Sequence, residues 1–419
     1  MSAPSQPPPT GFFDVRMRGF RDRAEVADAV ALLDSRLAPL DSETVDLADA
    51  AGRVLAENLC SDVAVPAFDR AAMDGYALRA AETFGAGVYN PIELKIAGDS
   101  LPPRPFTGDV QSGQAVRIMT GAPMPVGADA VLQAEAATES NGILRIIEPV
   151  PPLRHVGRRG EDVSPGQMLL SAGRVLRPQD LGMLSAVGIA QLHAIRRPGV
   201  SILITGDELL PAGSKPAGFQ IVDSNSPMLA ALVRRDGGMP LGVTMLADRR
   251  EAIRDAMLQS PGDILLVSGG SSVGSEDHAP SLLAELGELP IHGLALRPAS
   301  PTGIGFLAGR VVFLLPGNPV SCLCAYDLFA GRAVRRLGGR HAEMPYRVAK
   351  LPLAAKIVSA VGRVDYVRVR IAGGRVDPIA VSGASLLSTT TMADGFVLVP
   401  RDREGYAPGE EVEIHLYDG

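Results

Sequence analysis

Residues 263–277 read DILLVSGGSSVGSED. An unbroken apolar run the length of one strand passes into a loop of Ser and Gly, and carboxylates follow. Continuous rather than alternating hydrophobicity is what a strand buried on both faces of a parallel sheet requires. The same grammar recurs in SILITGDEL from Ser201 and in VVFLLPGNP from Val311. Ligands of open α/β sheets sit beyond the carboxyl ends of the strands, so three junctions of this kind describe one binding edge. Small residues there let backbone N–H groups approach an anion, and helix N-termini add the positive end of a dipole. The expected ligand is phosphorylated or otherwise anionic. Gly-rich turns also serve simply as tight connections, and none of the three loops has the Walker or G-x-G-x-x-G pattern.

Working outward, strand and helix signals alternate over residues 197–337, with helices expected after Ser226, from Arg249, from Ala279 and from Pro319. That alternation predicts a layered α/β domain. Beyond it, VDYVRVRI, FVLVP and EVEIHLY alternate polar and apolar residues between turns, which predicts a small β-barrel or sandwich. On the N-terminal side, residues 1 to 17 are Pro-rich and polar and are expected to be disordered. Apolar residues at helical spacing predict a helix over 21–37 and a second over 47–55. Residues 90–149 carry short β-like runs broken by Gly and Pro, whereas 156–195 match the N-terminal helical region in style. The β unit is therefore read as an insertion. The expected domains are 18–60 with 155–195, an inserted 61–154, an α/β 196–340 and a C-terminal 341–419.

Composition narrows the partners. A chain of 419 residues with a 46% hydrophobic share can build several cores. Forty Lys and Arg against 47 Asp and Glu give a formal net charge of -7, which argues against a nucleic-acid partner. No run approaches a membrane span in length, and the first ten residues lack the pattern of a signal peptide, so a cytoplasmic location is expected. The three cysteines, Cys60, Cys322 and Cys324, form no disulfide framework, and the six histidines show no paired ligand spacing.

Carboxylates gather at loop positions: Asp69, Asp74, Glu161, Asp162, Asp207, Glu208, Asp248 and Asp277. Most acidic residues of an acidic chain are solvated surface groups. Asp207, Glu208 and Asp277, however, directly follow strand-ending loops, where Mg²⁺ bridging phosphate oxygens would need one or two hard carboxylate ligands. The stretches AFDRAAMDGYAL (67–78) and RIMTGAPMPVGADAV (117–131) lie outside the α/β domain, and each is also explained as turn-shaping chain.

Taken in order and spacing, PAFDRAAMDGYA, RIMTGAPMPVGADAV, RRGEDV, ITGDEL, VDSNSPML, SGGSSVGSED and LLPGNPVSC resemble the molybdopterin molybdenumtransferase family, which includes the gephyrin E-domain. The resemblance runs from about Arg21 to the C-terminus. It implies a multidomain α/β plus β subunit: an elongated discontinuous N-terminal domain, an inserted small β domain, a three-layer α/β molybdopterin-binding domain and a C-terminal β-barrel. It further implies a molybdenum insertase that takes metal from molybdate to adenylated molybdopterin with Mg²⁺, hydrolysing the adenylate and releasing AMP. Family members usually act as homodimers, and the adenylyltransferase that makes the substrate and the recipient molybdoenzymes are the other implied partners.

Carried over by motif, the resemblance assigns pterin and phosphate binding to Thr205, Gly206, Ser224, Asn225, Gly269, Gly270, Ser271, Gly274, Gly317 and Asn318. Activity or metal delivery falls to Asp69, Thr120, Asp162, Glu208, Asp248 and Asp277, with Glu208 and Asp277 as Mg²⁺ ligands. Asp248 stands in the most loosely patterned surroundings. One segment departs from the family: where its members carry a lysine-containing loop, this chain reads LALRPASPTGIG over 294–305. Arg297 can replace one positive charge there, and Ser300 cannot replace the other, although both are placed with the cofactor-binding set. Arg70 or Arg117 is an alternative source of charge. A carrier of molybdopterin or finished cofactor, or an enzyme of changed oxyanion preference, is the alternative reading. The single-domain adenylyltransferase is disfavoured, because it would need neither the long segment before the α/β domain nor the β tail.

Overall fold

The computed structural model describes residues 23–270, 277–380 and 383–417. The chain forms two compact units. One comprises the described parts of Met1–Glu43, Gly52–Val54 and Ile195–Gly419, and the other Thr44–Ala51 and Leu55–Ala194. The expectation for residues 1–17 lies outside the described residues.

The first unit is built on a six-stranded sheet ordered Met239–Leu246, Gly199–Thr205, Ile264–Ser268, Arg310–Leu315, Gly303–Leu307 and Glu288–His292. The first four strands run parallel, and Gly303–Leu307 is antiparallel to both of its neighbours, Arg310–Leu315 and Glu288–His292. Every residue of Gly199–Thr205 and Ile264–Ser268 is buried, which is why these segments read as unbroken apolar runs. One face packs Val200, Ile202, Leu266 and Phe313 against helices Asn225–Arg235 and Pro319–Ala325, with Leu229, Val233 and Cys322. The other face packs Leu203, Leu265, Val267 and Leu314 against helices Arg250–Gln259 and Ala279–Leu286. This is the three-layer α/β arrangement.

Helix Val26–Arg36 joins this unit. Ala29 and Leu33, one turn apart, are buried in the same core as Val334 and Phe329. Its apolar stripe is covered by that core. The expected helix over 47–55 is reduced to a 3-10 turn, Leu47–Asp49, because Gly52 turns left-handed at φ 72°. At the far end of the unit, strands Leu296–Arg297, Val364–Ala372, Gly395–Val399, Glu411–Leu416 and Arg347–Pro352 form a second six-stranded sheet, with Arg375–Ala380 beside Val364–Ala372. Its core is Val367, Val369, Val397 and Ile414.

The second unit contains a mixed six-stranded sheet whose strands all lie between Gly75 and Ile146. Leu78, Leu94, Leu132, Leu144 and Ile146 fill it. A separate cluster of Leu55, Leu170, Leu176, Leu184 and Leu192 surrounds helix Pro178–Ala186.

Candidate functional site

Three strand ends of the first unit open on one cavity of about 700 Å³. Its wall takes Thr205 and Gly206 after the first strand, Ser268, Gly269 and Gly270 after the second, and Pro316, Gly317 and Asn318 after the third. Glycine is required at 269: the backbone is left-handed at φ 96°, and a Cβ would stand 2.3 Å from the Thr205 carbonyl oxygen. The loop can therefore lie flat against the neighbouring strand end and present its backbone to the cavity.

Asn225 ties the edge together. Its side-chain amide donates to Ser268 Oγ at 2.9 Å and to the Gly317 carbonyl at 2.8 Å. Asp223 fixes Asn225 in turn, accepting the Asn225 and Ser226 N–H groups at 2.9 and 3.1 Å and the Ser226 hydroxyl. That carboxylate satisfies the first free N–H groups of helix Asn225–Arg235. Two polar atoms in the wall have no hydrogen-bond partner among the described residues: Thr205 Oγ1 and Asn225 Oδ1, both buried. Orphaned buried groups of this kind call for a ligand or a solvent molecule.

Glu208, Asp248 and Asp277 also line the cavity. Asp248 belongs to a reciprocal turn, its N–H donating to Asp207 Oδ1 at 3.1 Å and Asp207 N–H donating to Asp248 Oδ2 at 3.4 Å. No group of three or more His, Cys, Asp or Glu stands in metal-holding array among the described residues. Mg²⁺ does not need one, since one or two carboxylates, waters and ligand oxygens complete its octahedron. Glu208 and Asp277 fit that role. Cys322, beside Ser268 Oγ at 3.9 Å, has its thiol pushed up to about 12 by burial and is packing rather than a nucleophile.

Arg297 and Ser300 stand elsewhere. The Arg297 guanidinium is paired with Asp365, a buried carboxylate that also accepts Arg363 Nε at 3.0 Å and Ser359 Oγ at 2.7 Å. Ser300 Oγ donates to the Leu294 carbonyl at 3.0 Å. Among the described lining residues are Pro301 and Ser385 but neither Arg297 nor Ser300, and no Lys, Arg or His. Arg117 is committed too, to Glu139 at 2.6 Å and Asp99 at 3.0 Å. Ser271 and Gly274 lie outside the described residues.

The second unit gathers the other motifs. Segments 66–75 and 119–124 are stitched by Ala71 N–H to the Ala122 carbonyl (3.0 Å), Gly121 N–H to Ala71 (2.8 Å) and Met124 N–H to Asp69 (2.9 Å). RRGEDV joins them: Val156 pairs with Ala71, Gly157 with Arg70, and Arg159 N–H donates to the Asp69 carboxylate at 2.7 Å. Asp162 N–H donates to the Val65 carbonyl at 3.1 Å. Asp69, Thr120 and Asp162 thus share one region of this unit. Thr120 is held by Asp74, whose carboxyl lies below its usual range because it accepts the Thr120 N–H and hydroxyl.

Sequence reasoning passed over Asp223, Ser268 and Ser385. Asp223 carried a usable signal, an acidic residue just ahead of a helical run. Ser385 carried none, since it reaches the cavity only because Val320 N–H donates to the Ala384 carbonyl at 3.0 Å.

Three family models match in succession: "MoeA N-terminal region (domain I and II)" over residues 24–188, "Probable molybdopterin binding domain" over 201–336 and "MoeA C-terminal region (domain IV)" over 350–417. The chain is 32% identical over 390 residues to the molybdopterin molybdenumtransferase of Haemophilus influenzae, covering 91% of this chain and 95% of that one. It is 33% identical over 386 residues to molybdopterin molybdenumtransferase 2 of Mycobacterium tuberculosis, covering 88% and 94%. A solved structure of the molybdopterin biosynthesis MoeA protein of Pyrococcus horikoshii superposes with a TM-score of 0.81 at 33% identity, covering 95% of this chain and all of that one. Sequence, domain succession and fold agree, and the chain belongs to the MoeA family.

Proposed function

We propose that this protein is a molybdopterin molybdenumtransferase. It transfers molybdenum from molybdate to adenylated molybdopterin, cleaving the adenylate and releasing AMP. The observation that carries the reading is the cavity at the carboxyl edge of the parallel sheet, where glycine loops, two orphaned polar atoms and several carboxylates meet. A phosphorylated heterocycle matches that wall: N–H groups and Asn225 for its polar edge, glycines for close approach.

In this reading Glu208 and Asp277 hold Mg²⁺, which neutralises charge on the phosphate oxygens during cleavage. Thr205, Gly206, Ser224, Asn225, Gly269, Gly270, Gly317 and Asn318 bind and orient the pterin and its phosphate. Asp248 braces the loop that carries Glu208. Asp69 and Thr120 act across the subunit boundary of a homodimer, and Asp162 supports adenylate hydrolysis. The domain limits expected from the sequence and a cytoplasmic location complete the proposal.

The test is AMP release from adenylated molybdopterin by the purified protein with Mg²⁺, molybdate and tungstate being titrated separately. Oxyanion-dependent release is expected, and chelation of Mg²⁺ should stop it. A second reading, a carrier or an enzyme of altered oxyanion preference, is favoured by the pairing of Arg297 with Asp365, which takes that cation away from the ligand. Tight pterin binding without AMP release under every oxyanion would select the carrier.

A further inference from the structure

The described wall of the cavity carries Glu208, Asp223, Asp248 and Asp277 and no basic side chain, yet the proposed ligand is an anion. A divalent cation offsets part of that repulsion, and a cationic side chain for the remaining phosphate charge has to come from outside the described wall. One segment beside the wall carries such a group. Residues lining the cavity stop at Leu209 and resume at Ile221, and the ten-odd residues between them leave and re-enter through the same wall. The base of that loop is fixed: Leu209–Leu210 pairs in parallel with Ile221–Val222, and Asp223 N–H donates to the Leu210 carbonyl at 2.9 Å.

Above its base the loop stands clear. Gly213 and Gly218 are left-handed at φ 88° and 61°, and among the described residues no atom beyond the adjoining ones in the chain lies within 4 Å of where a Cβ would be at either. Between them sits Lys215, the sole lysine between Lys95 and Lys350, exposed and in no ion pair among the described residues. Next to them Phe219 is 99% exposed. Single exposed apolar residues are common, but this ring stands two residues from Ile221, and so starts within roughly 7 Å of the cavity wall along the chain.

We infer that residues 211–220 fold over the cavity mouth when the ligand enters, Lys215 pairing with a ligand phosphate and Phe219 covering the face of a ligand heterocycle. The inference rests on the functional reading above and specifies how its phosphate is neutralised. Closure costs little: Gly213 and Gly218 give the loop backbone freedom on either side of Lys215 and next to Phe219, and the covered ring loses its exposure to water. A lysine is suited to the part, because its ammonium is a compact charge on a long flexible stem.

The chain contains no tryptophan, so Phe219→Trp places a single indole reporter on the loop of the full-length protein. Adenylated molybdopterin, and AMP alone, are titrated with Mg²⁺ by equilibrium dialysis and by indole emission. Lys215→Ala should weaken binding about tenfold and reduce its salt dependence, while Lys215→Arg keeps most of the affinity. Phe219→Ala should weaken it by about tenfold as well. The indole emission of Phe219→Trp should move to shorter wavelength as ligand binds. If native protein binds and both alanine variants bind within about twofold of it, with the indole emission unmoved, the inference is overturned and the functional reading stands. If native protein binds neither ligand, the functional reading fails and the inference falls with it.

Discussion

Asp74 Oδ1 accepts two hydrogen bonds from a single residue, the backbone N–H of Thr120 at 2.7 Å and its hydroxyl at 2.8 Å. The hydroxyl proton is thereby committed, so Thr120 Oγ faces any ligand as an acceptor of fixed orientation. Asp74→Ala should release it. Turnover should fall about tenfold through kcat, and Asp74→Asn, which still accepts both bonds, should recover most of it. The double variant Asp74→Ala/Thr120→Ala should be no slower than Thr120→Ala alone, because both changes remove one arrangement. Losses that simply multiply would mean that Asp74 acts separately from Thr120.

The same pair sets a pH expectation. The Asp74 carboxyl is held below the usual carboxylate range by the Thr120 N–H and hydroxyl. A depressed folded-state value means that the anchoring is complete above the unfolded value and is lost only as pH falls through the lower, folded one. Thr120-dependent turnover should therefore be insensitive to Asp74 ionisation across neutral and mildly acid pH. An inflection near pH 6 that disappears in Asp74→Asn would contradict this.

Gly269→Ala should separate the site from the fold. The left-handed backbone alone costs about 1–2 kcal/mol for a residue with a Cβ. The added carbon, 2.3 Å from the Thr205 oxygen, must also push the loop away from the strand end. Binding of adenylated molybdopterin should drop by at least about tenfold, while far-ultraviolet circular dichroism stays native. Unchanged affinity would show that the ligand does not approach this loop.

The buried sheet was the most legible part of the chain, because strands such as Ile264–Ser268 are apolar at every position and leave little choice of setting. The helix after Pro319 was legible at its start, where proline suits a first turn, but not in its course. It continues through a π turn, Tyr326–Ala330, into Gly331–Leu337. Packing decides that stretch, since Tyr326, Asp327, Phe329 and Ala330 are all buried. The helix expected over 47–55 failed at Gly52, where apolar spacing outweighed a breaker that should have counted for more. At the site, Glu208, Gly269, Gly270 and Asp277 line the cavity, and their place after apolar strands was legible. The fate of Arg297 was not, because its partner Asp365 is 68 positions away and no local pattern joins them.

With that pairing, Arg297 is expected to act as a structural residue. Arg297→Ala leaves Asp365 buried with Arg363 and Ser359, and removing one partner of a buried pair costs up to about 3 kcal/mol. Urea unfolding should report that loss while the Kd for adenylated molybdopterin stays within about twofold of native. The opposite pattern, native stability with affinity lost, would return Arg297 to the ligand site.

Asp180 controls the second unit in a comparable way. At the third position of helix Pro178–Ala186 it accepts the N-cap Arg177 N–H at 2.9 Å, and it receives Arg174 through Nε at 2.9 Å and Nη2 at 2.8 Å. The carboxyl is 5% exposed and lies well below the usual carboxylate range, chiefly through the Arg174 hydrogen bond. Asp180→Ala should cost about 2 kcal/mol from cap and ion pair together, with Asp180→Asn keeping the cap and losing only part. Since the folded value is the depressed one, this stabilisation is present above the ordinary aspartate value of about 3.9 and fades as pH falls below it toward the folded value. The stability gap between native protein and Asp180→Ala, measured by urea unfolding, should thus be constant from pH 5 to pH 8 and narrow below about pH 4. A gap independent of pH throughout would mean that shape at this position, rather than the charge of Asp180, anchors the helix.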